Sequence, residues 1–75
     1  MDLNEFIKNF AEQFDDIEVN EIQPDTVYQE LDVWSSLTAM SLIAMAKTQY
    51  GKTITGREVR ACNTVEALYN LIMSK

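Results

Sequence analysis

Histidine is absent from this 75-residue chain, cysteine and proline occur once each, glycine twice, and six basic residues stand against twelve acidic ones. Without histidine the chain lacks the commonest general base, the usual nitrogen ligand for zinc, and any Ser-His-Asp or Cys-His arrangement. Self-contained hydrolytic catalysis is therefore not expected. The single cysteine, Cys62, can form neither an internal disulfide nor a CxxC or four-cysteine metal site, so nothing asks for an oxidising compartment. Long apolar runs are missing too: the most apolar stretch, Leu37 to Ala46, is too short to span a bilayer. The opening residues, Met1-Asp2-Leu3-Asn4-Glu5, are acidic where a secretory signal would be basic. These absences lead us to expect a soluble, cytoplasmic protein that inserts into no membrane.

What is present suits one small domain, residues 1–75. Hydrophobic residues make up 47% and charged residues 24%, a globular composition, and three Phe, three Tyr and one Trp can anchor a modest core. Chains this short bury only about 60% of the surface they expose when unfolded, so a stability of about 3–5 kcal/mol is expected. The net charge of −6 is unevenly spread. Residues 1–35 hold ten carboxylates and Lys8, a balance of −9, whereas residues 36–75 set Glu58 and Glu66 against Lys47, Lys52, Arg57, Arg60 and Lys75, a balance of +3. Five dispersed cations make no basic stripe, which argues against nucleic acid as a partner. The acidic end favours basic protein partners.

Hydrophobic spacing predicts an all-α four-helix bundle, three main helices and one short one. Leu3, Phe6, Ile7, Phe10, Ala11 and Phe14 describe one buried helical face, opened by Asp2 as N-cap with Glu5 three residues on. After Asp15-Asp16 the pattern dissolves into a long connection in which Ile17, Val19, Ile22 and Val27 pin the chain to the core, and Pro24 forbids a continuous helix. An edge strand at Ile17-Glu18-Val19-Asn20 is the alternative, with Thr53-Ile54-Thr55 as its only candidate partner. Capping-box spacing from Thr26 to Gln29 predicts one helical turn before Leu31. A second long helix starts near Ser35, lines one face with Ala39, Leu42, Ile43, Ala46 and Tyr50, and ends at Gly51. Thr55 and Glu58 form another capping box, opening a short helix that runs to about Cys62. Asn63 is then read as the cap of the last helix, with Val65, Leu68, Tyr69 and Ile72 as its apolar stripe.

Several candidate sites dissolve on inspection. Gly51 and Gly56 have the glycine spacing of a phosphate-binding loop, but Arg57 stands where the lysine belongs, Glu58 where the hydroxyl belongs, and no strand precedes them. These glycines are better read as ending one helix and preceding another. The carboxylates from Asp15 to Asp32 lack the alternating ligands and central glycine of a calcium loop, and no metal site is expected. Cys62 reads as a compact core residue rather than a nucleophile. The segment Tyr28-Gln29-Glu30-Leu31-Asp32-Val33-Trp34-Ser35-Ser36-Leu37 is different. It sets two adjacent hydroxyls at the mouth of a helix whose first turn is uncharged, where free N–H groups and the helix dipole favour a phosphodiester. From position alone the preferred reading is a serine that simply caps the helix, since serine caps are common.

Over nearly its whole length the sequence resembles an acyl carrier protein. That family's hallmark is Asp-Ser-Leu at the start of the second helix, often after Trp, and this chain reads Trp34-Ser35-Ser36-Leu37. Tyr28 and Leu31 resemble the family's upstream aromatic and leucine, Ile54 its apolar anchor after helix two, and Thr64-Val65 the opening of its last helix. The resemblance implies a 4′-phosphopantetheine arm attached to Ser36, carrying acyl groups as thioesters, with a phosphopantetheinyl transferase and acyl-transferring or elongating enzymes as partners. It also implies a monomeric, non-enzymatic carrier of the fatty-acid or polyketide type. Ser35 is the less favoured attachment point, because its use would leave Ser36 where the family packs a leucine. By analogy Leu42, Ala46, Ile54, Val59 and Leu68 are candidate residues lining an acyl chain, or plain core.

Two departures qualify this expectation. Ser35 replaces the family's aspartate, keeping a cap but losing a carboxylate beside the modified serine. Ser36 to Tyr50 contains no Asp or Glu, whereas helix two of typical relatives is acidic. The outward stripe is expected to be Thr38, Met40, Ser41, Ala44, Lys47 and Thr48, and docking is expected to use Trp34, Leu37, Met40, Ala44 and Lys47. From this missing acidity we expect a dedicated pathway with its own enzymes, of the fatty-acid or polyketide type or another specialised biosynthesis. The alternatives are an unmodified carrier-shaped interaction module and an aminoacyl or peptidyl carrier.

Overall fold

A computed structural model describes residues 2–14 and 17–75, so the Asp15-Asp16 pair of the sequence reading lies outside the described residues. Helix α1 (Leu3–Ala11) forms where Leu3, Phe6, Ile7 and Phe10 recur at helical spacing, and the Asp2 carboxylate caps it by accepting the Glu5 N–H at 2.8 Å. The apolar spacing runs on to Phe14, but the helix stops at Ala11. The Gln13 and Phe14 N–H groups instead reach carbonyls three residues back, at Phe10 and Ala11, tightening the last turn while Phe14 stays buried.

Helix α2 (Ser36–Tyr50) is about 22 Å long at 1.5 Å per residue and so runs most of the molecule's 28 Å extent. Gly51 ends it in the left-handed conformation (φ +66°), with the Lys52 N–H on the Ala46 carbonyl and the Gly51 N–H on that of Lys47. Helix α3 (Gly56–Ala61) opens with the reciprocal Thr55–Glu58 capping box foreseen from the sequence. Helix α4 (Val65–Met73) is capped by Thr64, whose hydroxyl accepts the Ala67 N–H at 3.1 Å, and not by Asn63. Both residue types can cap, and the one immediately before the buried Val65 takes the role. Among the described residues there are four α-helices and no strand, the all-α bundle expected.

The long connection has more structure than its sequence suggested. Short 3₁₀ turns form at Val19–Glu21 and Tyr28–Glu30, the first replacing the edge-strand alternative. Thr26 does not cap the second, because its hydroxyl accepts the Gln23 N–H instead. Ile22 is buried, whereas Val19 and Val27 are exposed and do not pin the chain. Ile17 also packs against the core, and polar contacts add to this apolar anchoring. The first N–H groups of α4, on Val65 and Glu66, donate to the Thr26 and Pro24 carbonyls at 3.1 and 2.9 Å. At the end of α3 the Gln29 amide donates to the Arg60 and Cys62 carbonyls, and the Tyr28 hydroxyl to those of Val59 and Cys62. Backbone groups orphaned at two helix ends are thereby satisfied.

Helix α1 packs on α4 and α2, and α2 on α3. All seven aromatic rings join one contiguous set: Phe6 meets Phe10, Tyr50 and Tyr69, Phe10 meets Phe14 and Tyr28, and Trp34 closes against both Phe14 and Tyr28. Tilted and edge-on rings of this kind add about 0.5–1.5 kcal/mol per pair beyond area burial. The network starts in α1 and ends at the residue before Ser35, which fixes where α2 begins.

Candidate functional site at the start of helix two

Ser35 sits in extended conformation and caps α2, its Oγ accepting the Thr38 N–H at 3.3 Å. The first helical hydrogen bond runs from the Ala39 N–H to the Ser35 carbonyl, so the Ser36 and Leu37 amides have no partner in the helical ladder. No acidic residue occupies this turn. Ser36 is the first helical residue and its side chain is exposed. The local field is that of a helix N-terminus, favourable to negative charge and uncompensated by a neighbouring carboxylate.

The rotation of α2 differs in one respect from the sequence reading. Thr38, placed on the outward stripe, is buried (8% exposed), and its hydroxyl lies 3.3 Å from that of Ser35. The inner face consists of Thr38, Leu42, Met45 and Ala46, with Ala39, Ile43 and Tyr50 half-buried. The face expected from the periodicity, Ala39, Leu42, Ile43, Ala46 and Tyr50, does turn inward, and Thr38 and Met45 extend it because apolar residues also occupy the outer side and packing against α1 and α3 decides where the buried face ends. Ser41 is half-buried; Met40, Ala44, Lys47 and Thr48 are exposed.

Of the residues expected at a docking surface, Leu37 and Met40 are 74% and 64% exposed, and Ala44 and Lys47 are also on the surface. Trp34 is half-buried, its ring held between Phe14 and Tyr28. Leu42, Ala46, Ile54, Val59 and Leu68 all lie in the hydrophobic core. Cys62 is half-buried and free, and burial, then the Glu58 carboxylate, pushes its thiol pKa up, away from the reactive thiolate. Gly51 and Gly56 end α2 and open α3, as the helix-boundary reading of them required.

Two grooves of about 410 Å³ flank the mouth of α2. One, on the α1 side, is lined by Phe14, Val33, Leu37, Thr38 and Ser41. The other lies between α2 and α3 and is lined by Ser35, Ser36, Ala39, Met40 and Ile43 together with Trp34, Gly56, Gln29 and Arg60. Sequence reasoning passed over Arg60 as one of several dispersed cations. Only the packing of α3 against α2, held by the Gln29 hydrogen bonds, brings it beside Ser36.

A family model described as the phosphopantetheine attachment site matches residues 5–72. No significant match was found among curated proteins or among solved structures. Membership of that family implies a covalently attached 4′-phosphopantetheine group. The residues present fit it. An exposed serine hydroxyl at a helix N-terminus can bear a phosphodiester. The adjoining groove, apolar along α2 with an amide and a guanidinium in its lining, suits a chain of methylenes and amides hanging from a phosphate.

Proposed function

Because the chain belongs to the phosphopantetheine-attachment family, we propose that it is an acyl carrier whose arm is joined to Ser36 and whose cargo comes from a dedicated fatty-acid or polyketide-type pathway. The observation that carries the assignment to Ser36 is the division of labour at the helix mouth. Both serines are exposed and border the α2–α3 groove, but the Ser35 oxygen accepts the Thr38 N–H as the helix cap and lies against the Thr38 hydroxyl, whereas among the described residues nothing engages the Ser36 hydroxyl. When bound, the arm supplies a terminal thiol that holds acyl groups as thioesters. The chain's own residues anchor the phosphate, position the arm and present a surface to successive enzymes. On this reading they make no bonds themselves: the chain has no histidine, and burial raises the Cys62 thiol pKa away from the reactive thiolate.

Support for a dedicated pathway lies in the uncharged first turn of α2 and the apolar side chains exposed along it. Incubation with coenzyme A and a broad-specificity phosphopantetheinyl transferase tests the attachment. The expected outcome is a single phosphopantetheine adduct in the intact mass, retained in Ser35→Ala and lost in Ser36→Ala. An adduct that persists in Ser36→Ala moves the site, and none under conditions that modify a standard carrier removes the reading. Elongation of the loaded protein by a general fatty-acid synthase at a typical carrier's rate would refute the dedicated pathway alone.

A further inference from the structure

From Ser36 to Arg57 the chain has no carboxylate; its charges there are Lys47, Lys52 and Arg57, and Arg60 follows one turn later. Lys52 is occupied, its ammonium donating to the Lys75 carbonyl at 2.6 Å, and Glu58 is ion-paired with Lys75 at 2.7 Å. Lys47, Arg57 and Arg60 are exposed, and among the described residues none has a carboxylate within ion-pair distance. Arg57 and Arg60, three apart, share a face of α3, and Arg60 borders the same groove as Ser36, Met40 and Ile43. On α2, Leu37, Met40, Ala44 and Lys47 fall at i, i+3, i+7 and i+10, a single stripe. Leu37 and Met40 are the two most exposed large apolar side chains among the described residues. An acidic molecule of net charge −6 thus turns an apolar stripe that ends in Lys47 toward whatever approaches Ser36, with Arg60 across the groove and Arg57 on the same face of α3.

Resting on the carrier reading, we propose that this face docks an apolar cleft rimmed by carboxylates. The partner's acidic side chains meet Lys47, Arg57 and Arg60, and its hydrophobic pocket takes Leu37 and Met40. A cleft rimmed by lysine and arginine would set like charges against each other here, which is costly at an interface. It would be drawn instead to the carboxylates of residues 1–35.

The test titrates the isotope-labelled full chain with two synthetic amphipathic helices that share a leucine stripe, one flanked by glutamate and one by lysine, followed by amide NMR shifts. The glutamate-flanked helix is expected to shift the amides of Leu37, Met40, Arg57 and Arg60. It should bind about tenfold more tightly than to an Arg57→Glu/Arg60→Glu variant, with the difference shrinking as salt is raised. Unchanged core amide shifts establish that the variant folds. Equal or tighter binding of the lysine-flanked helix at this face overturns the proposal, and so does the failure of the glutamate-flanked helix to perturb it. Docking is measured on both Ser36→Ala and the phosphopantetheinylated chain. An adduct without docking defeats this inference alone, whereas docking without any adduct on the unmutated chain defeats the carrier reading alone.

Discussion

The indole of Trp34 lies 5.1 Å, centroid to centroid, from the ring of Tyr28, and through that contact the residue before the helix cap is fixed to the interior. Tyr28 is fully buried, with its hydroxyl on the carbonyls of Val59 and Cys62. The start of α2, the 3₁₀ turn and the end of α3 are thus joined through two side chains. Trp34→Ala is expected to cost about 2 kcal/mol in urea denaturation, less than for a fully buried tryptophan because the ring is half-exposed. Its amide spectrum should show Ser35 and Ser36 broadened or shifted.

Tyr28 also sets a pH limit. Burial, and secondarily the nearby Cys62, raises its phenol well above the ordinary 10.0. A group whose folded pKa is raised stabilises the fold fully below its unfolded value and loses that contribution as pH climbs through the folded value. Stability should therefore decline above about pH 10, the unfolded tyrosine value. Tyr50, also raised by burial against the opposing hydrogen bond from Asn9, acts with the same sign. Tyr28→Phe should cost about 1–2 kcal/mol at neutral pH by removing the donor to two carbonyls. It should also flatten the alkaline decline, as measured by thermal melts from pH 7 to pH 11.

At the helix mouth the prediction concerns Ser35. Ser35→Ala should lower stability by about 1 kcal/mol through loss of the cap. Ser35→Asp should restore it, since either side chain can accept the Thr38 N–H. If the missing carboxylate weakens transferase recognition, Ser35→Asp will be phosphopantetheinylated severalfold faster than the unmutated chain. An unchanged rate would mean that the carboxylate contributes nothing to recognition.

Thr38 and Ala44 test the rotation of α2. Ala44→Glu places a charge on the exposed face and should stay within about 0.5 kcal/mol of the unmutated protein. Thr38→Glu forces a carboxylate into a buried site beside the Ser35 hydroxyl and should cost about 2 kcal/mol or more. Similar melting temperatures for the two variants would contradict the inward orientation of Thr38.

Helices α1 and α3 were legible because each carries its own punctuation: an aspartate cap before a wide apolar face, and a reciprocal Thr55–Glu58 box. Gly51 was legible for a related reason, as a left-handed residue at the end of an apolar run. The inner face of α2 was legible at Ala39, Leu42, Ile43, Ala46 and Tyr50, but its edge at Thr38 and Met45 was not, because apolar residues on the outer side of the helix blur where the buried face ends. Nor was the cap of α4, where Asn63 and Thr64 compete and burial of Val65 decides between them. Ser36 could be singled out from its neighbours in the chain, but the groove beside it could not. Arg60 is 24 positions away and arrives only through contacts that Gln29 makes with the backbone of α3.

Those same contacts bear on how the chain finds its fold. Tyr28 and Gln29 reach partners 31 to 34 residues away, closing a loop that contains the whole of α2. Closing such a loop has an entropic cost that contacts within a single helix avoid, so the helical turns themselves can form before this clasp engages. A clasp made after the rate-limiting step leaves the folding rate largely alone and instead sets how long the native state survives. On that view the turn at Tyr28 acts chiefly as a kinetic latch, holding the mouth of α2 and its serine in place between openings of the bundle.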